Sequence, residues 1–205
     1  MDSQNKKLVI FDFDGVLVDT LIMHYKISSK VNKGISLNTF KSIFNGNIYE
    51  FLKKSKNIKQ HSKFFEIYEK QSRTLEIPKI IKNAIVEINN NYNLSIISST
   101  PSRLILKILK KENIHSYFSD ILGADINTNK VVKINNLLEK YNTKPNNAVF
   151  ITDTSGDVRE GFKCGVKSIA VTWGFYDRKT LENANPIAII DDPRDLLGSI
   201  KNVLK

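Results

Sequence analysis

Asp12 and Asp14 stand two residues apart at the end of an apolar run, LVIF over residues 8–11, and Gly15 follows at once. Two carboxylates at the carboxyl end of a buried strand are costly unless something pairs with them. A hard divalent cation is an economical partner, because Mg²⁺ takes carboxylate and carbonyl oxygens. Gly15 allows a tight turn and lets backbone N–H groups approach a ligand. A strand followed by an acidic Asp-Gly turn is the plainer reading, and the DxDG spacing by itself leaves both open.

Two further polar groups follow apolar runs in the same manner, and a lysine pair opens a helical stretch. Ser98 and Ser99 come after LSII (94–97) and run into Thr100-Pro101. A hydroxyl and free amides at a helix start make a phosphate cradle, although the same residues also read as a capped helix, with Thr100 as N-cap and Pro101 in first position. Asp153 and Asp157 come after VFIT (149–152), where carboxylates suit a helix N-terminus or a cation. Lys130 stands just before the helical stretch VVKINNLLEKY, with Lys133 about one turn along; either lysine can neutralise phosphate charge. His24 lies twelve residues after Asp12 in the first helical stretch. With no partner evident in the sequence, a helix histidine there reads as an ordinary surface or interface residue.

These groups need a scaffold that brings them to one edge. The four-residue run 8–11 suits a central strand covered on both faces. Residues 1–7 form a short polar leader. From 20 to about 76 the pattern is helical: Leu21, Ile22, Tyr25 and Ile27, then Phe40, Ile43, Phe44, Ile48, Phe51 and Leu52 with Gly46 interrupting, then Phe64, Phe65, Ile67, Tyr68 and Leu75. Glu76-Ile77-Pro78 punctuates the chain. From there helices and strands alternate: a helix over 79–90, a strand at 94–97, a helix from Pro101, a short strand at Ile121-Leu122, a helix over 131–140, and a strand at 148–152. A helix from Gly156 to Cys164 ends at Gly165, strands follow at 168–172 and 187–190, and a last helix spans 193–204. Such alternation predicts an α/β fold, a doubly wound parallel sheet, in which ligands bind beyond the carboxyl ends of the strands. The predicted division is a Rossmann-like core from 1–19 and 77–205, with a helical cap over 20–76 inserted.

Composition sets the outer bounds. The 205 residues are 41% hydrophobic and 25% charged, which places them among globular proteins. The apolar runs are too short for a membrane span, and no signal peptide is expected. One cysteine, Cys164, excludes an internal disulfide and fits a reducing cytoplasm; its place at a helix end reads as packing rather than catalysis. The net charge of +10 invites a nucleic-acid hypothesis. The lysines are dispersed, however, without a run of five like charges or a recognition motif, so a solvated basic surface that attracts phosphorylated metabolites is the expectation.

Residues 10–20, IFDFDGVLVDT, resemble the first motif of the haloacid dehalogenase superfamily, DxDGxLxDS/T after a hydrophobic strand. The other three groups fall at the distances found in its phosphoglycolate phosphatase-like branch. The resemblance implies that Asp12 is a nucleophile forming an aspartyl phosphate and that Asp14 serves as general acid and then base. It implies that Gly15, Ser98, Ser99 and Lys130 bind the phosphate, with His24 as a further substrate contact. Mg²⁺ would sit on Asp12, the Asp14 carbonyl and Asp153, with Asp157 holding a metal-bound water or the lysine. Strand alternation would point Asp12 and Asp14 to one face. Two features depart from the family: Lys130-Val131 replaces the common Lys-Pro, leaving Lys133 as a competitor, and Thr152 replaces a glycine before Asp153, where it is expected to crowd the metal. Trp173, in a loop that also resembles the branch, reads as packing. The implied activity is a Mg²⁺-dependent phosphatase of a small phosphorylated metabolite, phosphoglycolate first, in a monomer or homodimer. A phosphosugar mutase of the same branch, a catalytically silent binding protein and a nucleic-acid binder are the rivals.

Overall fold

The computed structural model describes residues 7–31, 35–46 and 58–205. The expected helical positions Ile48, Phe51 and Leu52, and residues 1–6 of the leader, lie outside that range. Six strands form one parallel sheet: β1 (Leu8–Phe11), β2 (Asn93–Ile97), β3 (Phe118–Leu122), β4 (Ala148–Thr152), β5 (Lys167–Val171) and β6 (Ala188–Ile190), in the order β3-β2-β1-β4-β5-β6. β1 is central, with Val9 in register with Leu94 on one side and Val149 on the other. Its four residues are fully buried, as a strand covered on both faces requires.

Alternate residues of the strands feed two cores. Val9, Phe11, Leu94, Ile96, Val149 and Ile151 pack on one face with α4 (Lys79–Asn89), α5 (Ser102–Lys111) and α9 (Leu196–Val203). Leu8, Ile10, Ile97 and Phe150 pack on the other with α6 (Lys130–Lys140). Truncating Phe11, buried among these side chains, to Ala would cost on the order of 3–5 kcal/mol. Helix α7 (Ser155–Lys163) follows β4 and stops at Gly165, whose φ of 70° only glycine adopts without strain. The Gly165 N–H bonds to the Phe162 carbonyl and the Val166 N–H to that of Gly161, the paired bonds of a glycine-terminated helix. α8 (Arg178–Glu182) links β5 to β6.

Between β1 and α4 lies the inserted helical lobe: α1 (Leu21–Val31), α2 (Leu37–Ser42) with a 3₁₀ turn at Ile43–Asn45, and α3 (Ile58–Gln71). Two sequence expectations change. β3 begins at Phe118 rather than Ile121, because Leu94 and Ser95 straddle an irregularity that brings Phe118 opposite Leu94. Thr100 does not cap α5; its hydroxyl is bonded elsewhere, and the helix starts at Ser102, whose N–H donates to Asp125 Oδ1 at 2.6 Å. Among the described residues no helix is long and apolar enough to cross a membrane.

Candidate active site at the sheet switch point

The strand order reverses direction between β1 and β4, where open α/β sheets leave a crevice at the carboxyl ends. β1 delivers Asp12 there, β4 delivers Asp153, and β2 delivers Ser98 from the next position. Asn129 caps α6, accepting N–H bonds from Val131 and Val132, so Lys130 is the first residue of that helix. Thr154 caps α7 and accepts the Asp157 N–H, which sets Asp157 in the helix's first turn.

Asp12, Lys130 and Asp157 form one buried array. Lys130 Nζ lies 2.8 Å from Asp12 Oδ2 and 2.6 Å from Asp157 Oδ2. The Phe13 N–H donates to Asp12 Oδ1 at 2.7 Å, and the Thr152 hydroxyl donates to Asp157 Oδ2 at 2.8 Å. Thr152, where a glycine was expected, therefore supports Asp157. Of the two roles expected of Asp157, the geometry displays the hold on the lysine. Burial pushes the Asp12 carboxyl well above its usual range, with Lys130 opposing and Asp157 and Asp153 reinforcing. Burial also raises Asp157, but the Lys130 ammonium outweighs it and holds that carboxyl below the usual range. For Lys130, burial favours the neutral amine; the attraction of Asp12 and Asp157 prevails and the pKa rises.

Asp153 is fully buried. Its Oδ2 accepts the Phe175 N–H at 2.7 Å, whereas its Oδ1 has no hydrogen-bond partner. Burial pushes this carboxyl up to about 7. The carboxylate is hemmed in by backbone: a Cβ on Gly15 would lie 1.9 Å from its Oδ2, and one on Gly174 would lie 2.3 Å from the same atom. Gly15 also has a φ of 78°, so that position requires glycine on both counts.

Asp14 meets a separate set of partners. Strand pairing of β1 stops at Phe11, and residues 13–18 turn back through Gly15 N–H to Val18 carbonyl and Leu17 N–H to Phe13 carbonyl bonds. The alternation expected to align Asp12 and Asp14 therefore does not extend that far. Thr100 Oγ1 donates to Asp14 Oδ2 at 2.7 Å, Ser98 Oγ to the same oxygen at 3.4 Å, and the Tyr68 hydroxyl to Oδ1 at 3.1 Å. His24 Nε2 lies 3.3 Å from Oδ1. Burial raises the Asp14 carboxyl, but His24 and then Thr100 outweigh it and hold it low. Ser99 is half-buried beside Ser98. His24 is 7% exposed and set edge-on to Phe64, Tyr68 and Phe175. Its reading as an ordinary surface residue gives way: α1 carries it against the carboxyl edge of the sheet, where it touches Asp14.

Thus Asp12, Asp14, Gly15, His24, Ser98, Lys130, Asp153 and Asp157 converge on one edge. Lys133 is buried one turn beyond Lys130 with other partners, donating to the Ser98 carbonyl at 2.6 Å and the Gly123 carbonyl at 3.4 Å. Sequence reasoning missed Tyr68, which signalled only a helical apolar face, and placed Thr100 at a cap. Trp173 packs against the core and donates its indole N–H to the Val16 carbonyl at 3.1 Å.

The residues fit a divalent cation. Asp12 and Asp157 share the Lys130 ammonium, and Asp153, near enough to help raise the Asp12 carboxyl, retains an unpartnered oxygen. Among the described residues no three His, Cys, Asp or Glu side chains gather into a ready-made metal group. A Mg²⁺ site does not need three, because that ion keeps waters and substrate oxygens beside one or two carboxylates.

The chain is similar to phosphoglycolate phosphatases along nearly its whole length. It is 22% identical over 221 residues to the one from Vibrio parahaemolyticus, covering 96% of this chain and 97% of that one. It is 24% identical to the one from Aquifex aeolicus, covering 96% and 97%. In structure it resembles a haloacid dehalogenase-like hydrolase from Streptococcus pneumoniae, with a TM-score of 0.79, 23% identity and coverage of 95% and 98%. It also resembles a putative beta-phosphoglucomutase from Thermotoga maritima, with a TM-score of 0.68, 22% identity and coverage of 97% and 100%. The family model for haloacid dehalogenase-like hydrolases matches residues 9–171, and with the motif residues assembled at the switch point of the sheet, this chain belongs to that family.

Proposed function

We propose that this protein is a Mg²⁺-dependent phosphatase that hydrolyses a small phosphorylated metabolite through an aspartyl phosphate on Asp12. The observation that carries the reading is the Lys130 ammonium docked between Asp12 and Asp157 at the switch point of the sheet. An ammonium in that place neutralises the charge of an incoming phosphoryl group and holds the nucleophile in line. Asp12 attacks phosphorus and the substrate oxygen leaves with a proton from Asp14, whose carboxyl, held low in the free protein, takes up that proton as the negative charge of the substrate enters beside it. Asp14 then accepts a proton from the water that hydrolyses the aspartyl phosphate, restoring both carboxyls. Ser98, Ser99 and the backbone near Gly15 would hold the phosphoryl oxygens.

Asp12, Asp153 and the Asp14 main-chain carbonyl would hold Mg²⁺, which supplies charge neutralisation on the phosphoryl oxygens when bound. Asp157 keeps Lys130 in place. The described helices between residues 20 and 76, which bring His24 and Tyr68 to Asp14, would cover this edge as a cap and carry the choice of substrate. Phosphoglycolate is the first substrate to try, on the strength of the names of the relatives, and a reducing cytoplasm suits the single Cys164. The test is release of phosphate from a generic aryl phosphate and from phosphoglycolate, with Mg²⁺, by wild type and Asp12→Asn. The variant, folded but without nucleophile and ligand, is expected to lose more than about 10³-fold in kcat; wild-type turnover in it would end the proposal.

A further inference from the structure

Lys133 is fully buried, and the mechanism above gives it no task. An unpaired ammonium in such a place is expensive, and an apolar side chain of similar length would pack there at lower cost. Its two hydrogen bonds go to backbone carbonyls, that of Ser98 at 2.6 Å and that of Gly123 at 3.4 Å. These carbonyls end two adjacent strands, β2 and β3. The residues concerned are also tied to each other's strands: the Ser98 N–H donates to the Leu122 carbonyl, and the Ala124 N–H to the Thr100 carbonyl.

The Ser98 carbonyl belongs to the peptide group that also carries the Ser99 N–H. In a planar trans peptide the two point in opposite directions. Holding the carbonyl on Lys133 therefore fixes the Ser99 N–H away from α6. It also fixes the Cα of Ser98, whose hydroxyl accepts the Thr100 N–H at 3.0 Å and donates to Asp14. We propose that Lys133 is a positioning residue for the phosphate-binding turn Ser98–Ser99–Thr100, acting from beneath it through the Ser98 carbonyl and never touching substrate.

The arrangement also explains why two lysines one turn apart do different work. Lys130, at the helix start, reaches the carboxylates of β1 and α7, while Lys133 turns under β2. Groups that face it from the packed elements are Lys130 on its own helix, Asp12 after β1, Asp125 after β3, and Asp157 and Glu160 on α7. Burial first, then repulsion from Lys130, draws its pKa down to about 7, against the attraction of the three acidic groups Asp12, Asp157 and Glu160.

The inference rests on the phosphatase reading, and the experiment separates the two. Lys133→Met removes the donor and keeps the length of the side chain. With an aryl phosphate, KM and the competitive Ki for inorganic phosphate are both expected to rise about tenfold, with kcat changed less. Circular dichroism melting verifies the fold; should the Met variant not fold, Lys133→Leu is judged by the same constants. KM and Ki within twofold of wild type, or a loss confined to kcat, overturn the role of Lys133. The phosphatase reading survives that result as long as Asp12→Asn is inactive; an active Asp12→Asn removes the reading on which the role depends.

Discussion

The Tyr68 hydroxyl donates to Asp14 Oδ1 at 3.1 Å, joining the helical lobe to the core across 54 residues of sequence. Tyr68 is wholly buried, with its ring against those of His24, Phe64 and Phe65. The lobe therefore sets a hydrogen-bond donor on the residue proposed to handle protons. A donor to the carboxylate favours the ionised form of Asp14, and burial together with this bond raises the phenol of Tyr68 in return. Tyr68→Phe keeps the ring and removes the donor. We expect kcat to fall about threefold to tenfold and the acidic limb of the pH–rate profile to move upward, since Asp14 then ionises less readily. An unaltered profile with unaltered kcat would show that the bond has no part in turnover.

The two carboxylates after β4 are predicted to differ in their service to Mg²⁺. Asp153 has a free Oδ1, whereas Asp157 Oδ2 is taken by Lys130 and Thr152. Titrating activity with Mg²⁺ in Asp153→Ala and Asp157→Ala should give the larger loss of apparent Mg²⁺ affinity, on the order of tenfold or more, for Asp153→Ala. Asp157→Ala should instead lower kcat, by releasing Lys130. Equal Mg²⁺ requirements would contradict the assignment.

How far the sequence revealed this site depends on the kind of contact. Asp12, Asp153 and Ser98 were legible because each directly follows an apolar run, and in a parallel sheet strand ends share an edge. The central position of β1 followed from four unbroken apolar residues. Tyr68 was not legible, because its partner comes from tertiary docking of a lobe and helical periodicity reports only which face is buried. Thr100 misled for a related reason: a hydroxyl before Pro101 has the local chemistry of a cap, but the Asp14 carboxylate is a stronger acceptor site than helix geometry alone reveals. Lys130 and Lys133 could not be told apart by spacing; the rotation of one helical turn sends one to carboxylates and the other beneath β2.

Cys164 offers a check on a residue outside the site. Its thiol contacts the Val131 carbonyl at 3.6 Å, and burial pushes its pKa up to about 11. At pH 8 the thiolate fraction in the folded protein is then about one in a thousand, against roughly a quarter in an unfolded chain. Iodoacetamide should label the native protein about tenfold to a hundredfold more slowly than the protein in urea. Rapid native labelling at neutral pH would contradict the placement of this side chain.

Lys133 makes a second prediction, on stability rather than binding. Its folded pKa, about 7, lies below the ordinary 10.5 of a lysine. Between those values the unfolded chain binds more protons than the folded one, so stability rises with pH across that window. The melting temperature of wild type minus that of Lys133→Met should therefore increase from pH 7 to pH 10, by an amount equivalent to a few kcal/mol. A flat difference would mean that the lysine keeps its charge when folded.

The final prediction separates a phosphatase from a phosphosugar mutase, which would share Asp12, Asp14 and the cation. The two differ in what reaches the aspartyl phosphate: water, or a sugar hydroxyl held by the lobe. A mutase has to exclude water until the sugar closes the site, which demands polar groups of the lobe aimed at the sugar. His24 meets Asp14 at 3.3 Å and is otherwise set among Phe64, Tyr68 and Phe175. Phe40 and Phe44 extend this aromatic wall through contacts with Phe175 at 6.4 and 5.0 Å between ring centres. Among the described residues, then, the face of the lobe nearest Asp14 is largely aromatic, with His24 and Tyr68 engaged on the carboxylate. That favours hydrolysis without a sugar activator. Phosphate release from an aryl phosphate should proceed with no sugar phosphate added, and His24→Ala should lower it about threefold to tenfold. The comparison is interconversion of glucose 1-phosphate and glucose 6-phosphate with a bisphosphate primer. If interconversion outruns hydrolysis and His24→Ala removes it selectively, the aspartyl phosphate serves a sugar and the hydrolytic assignment is wrong.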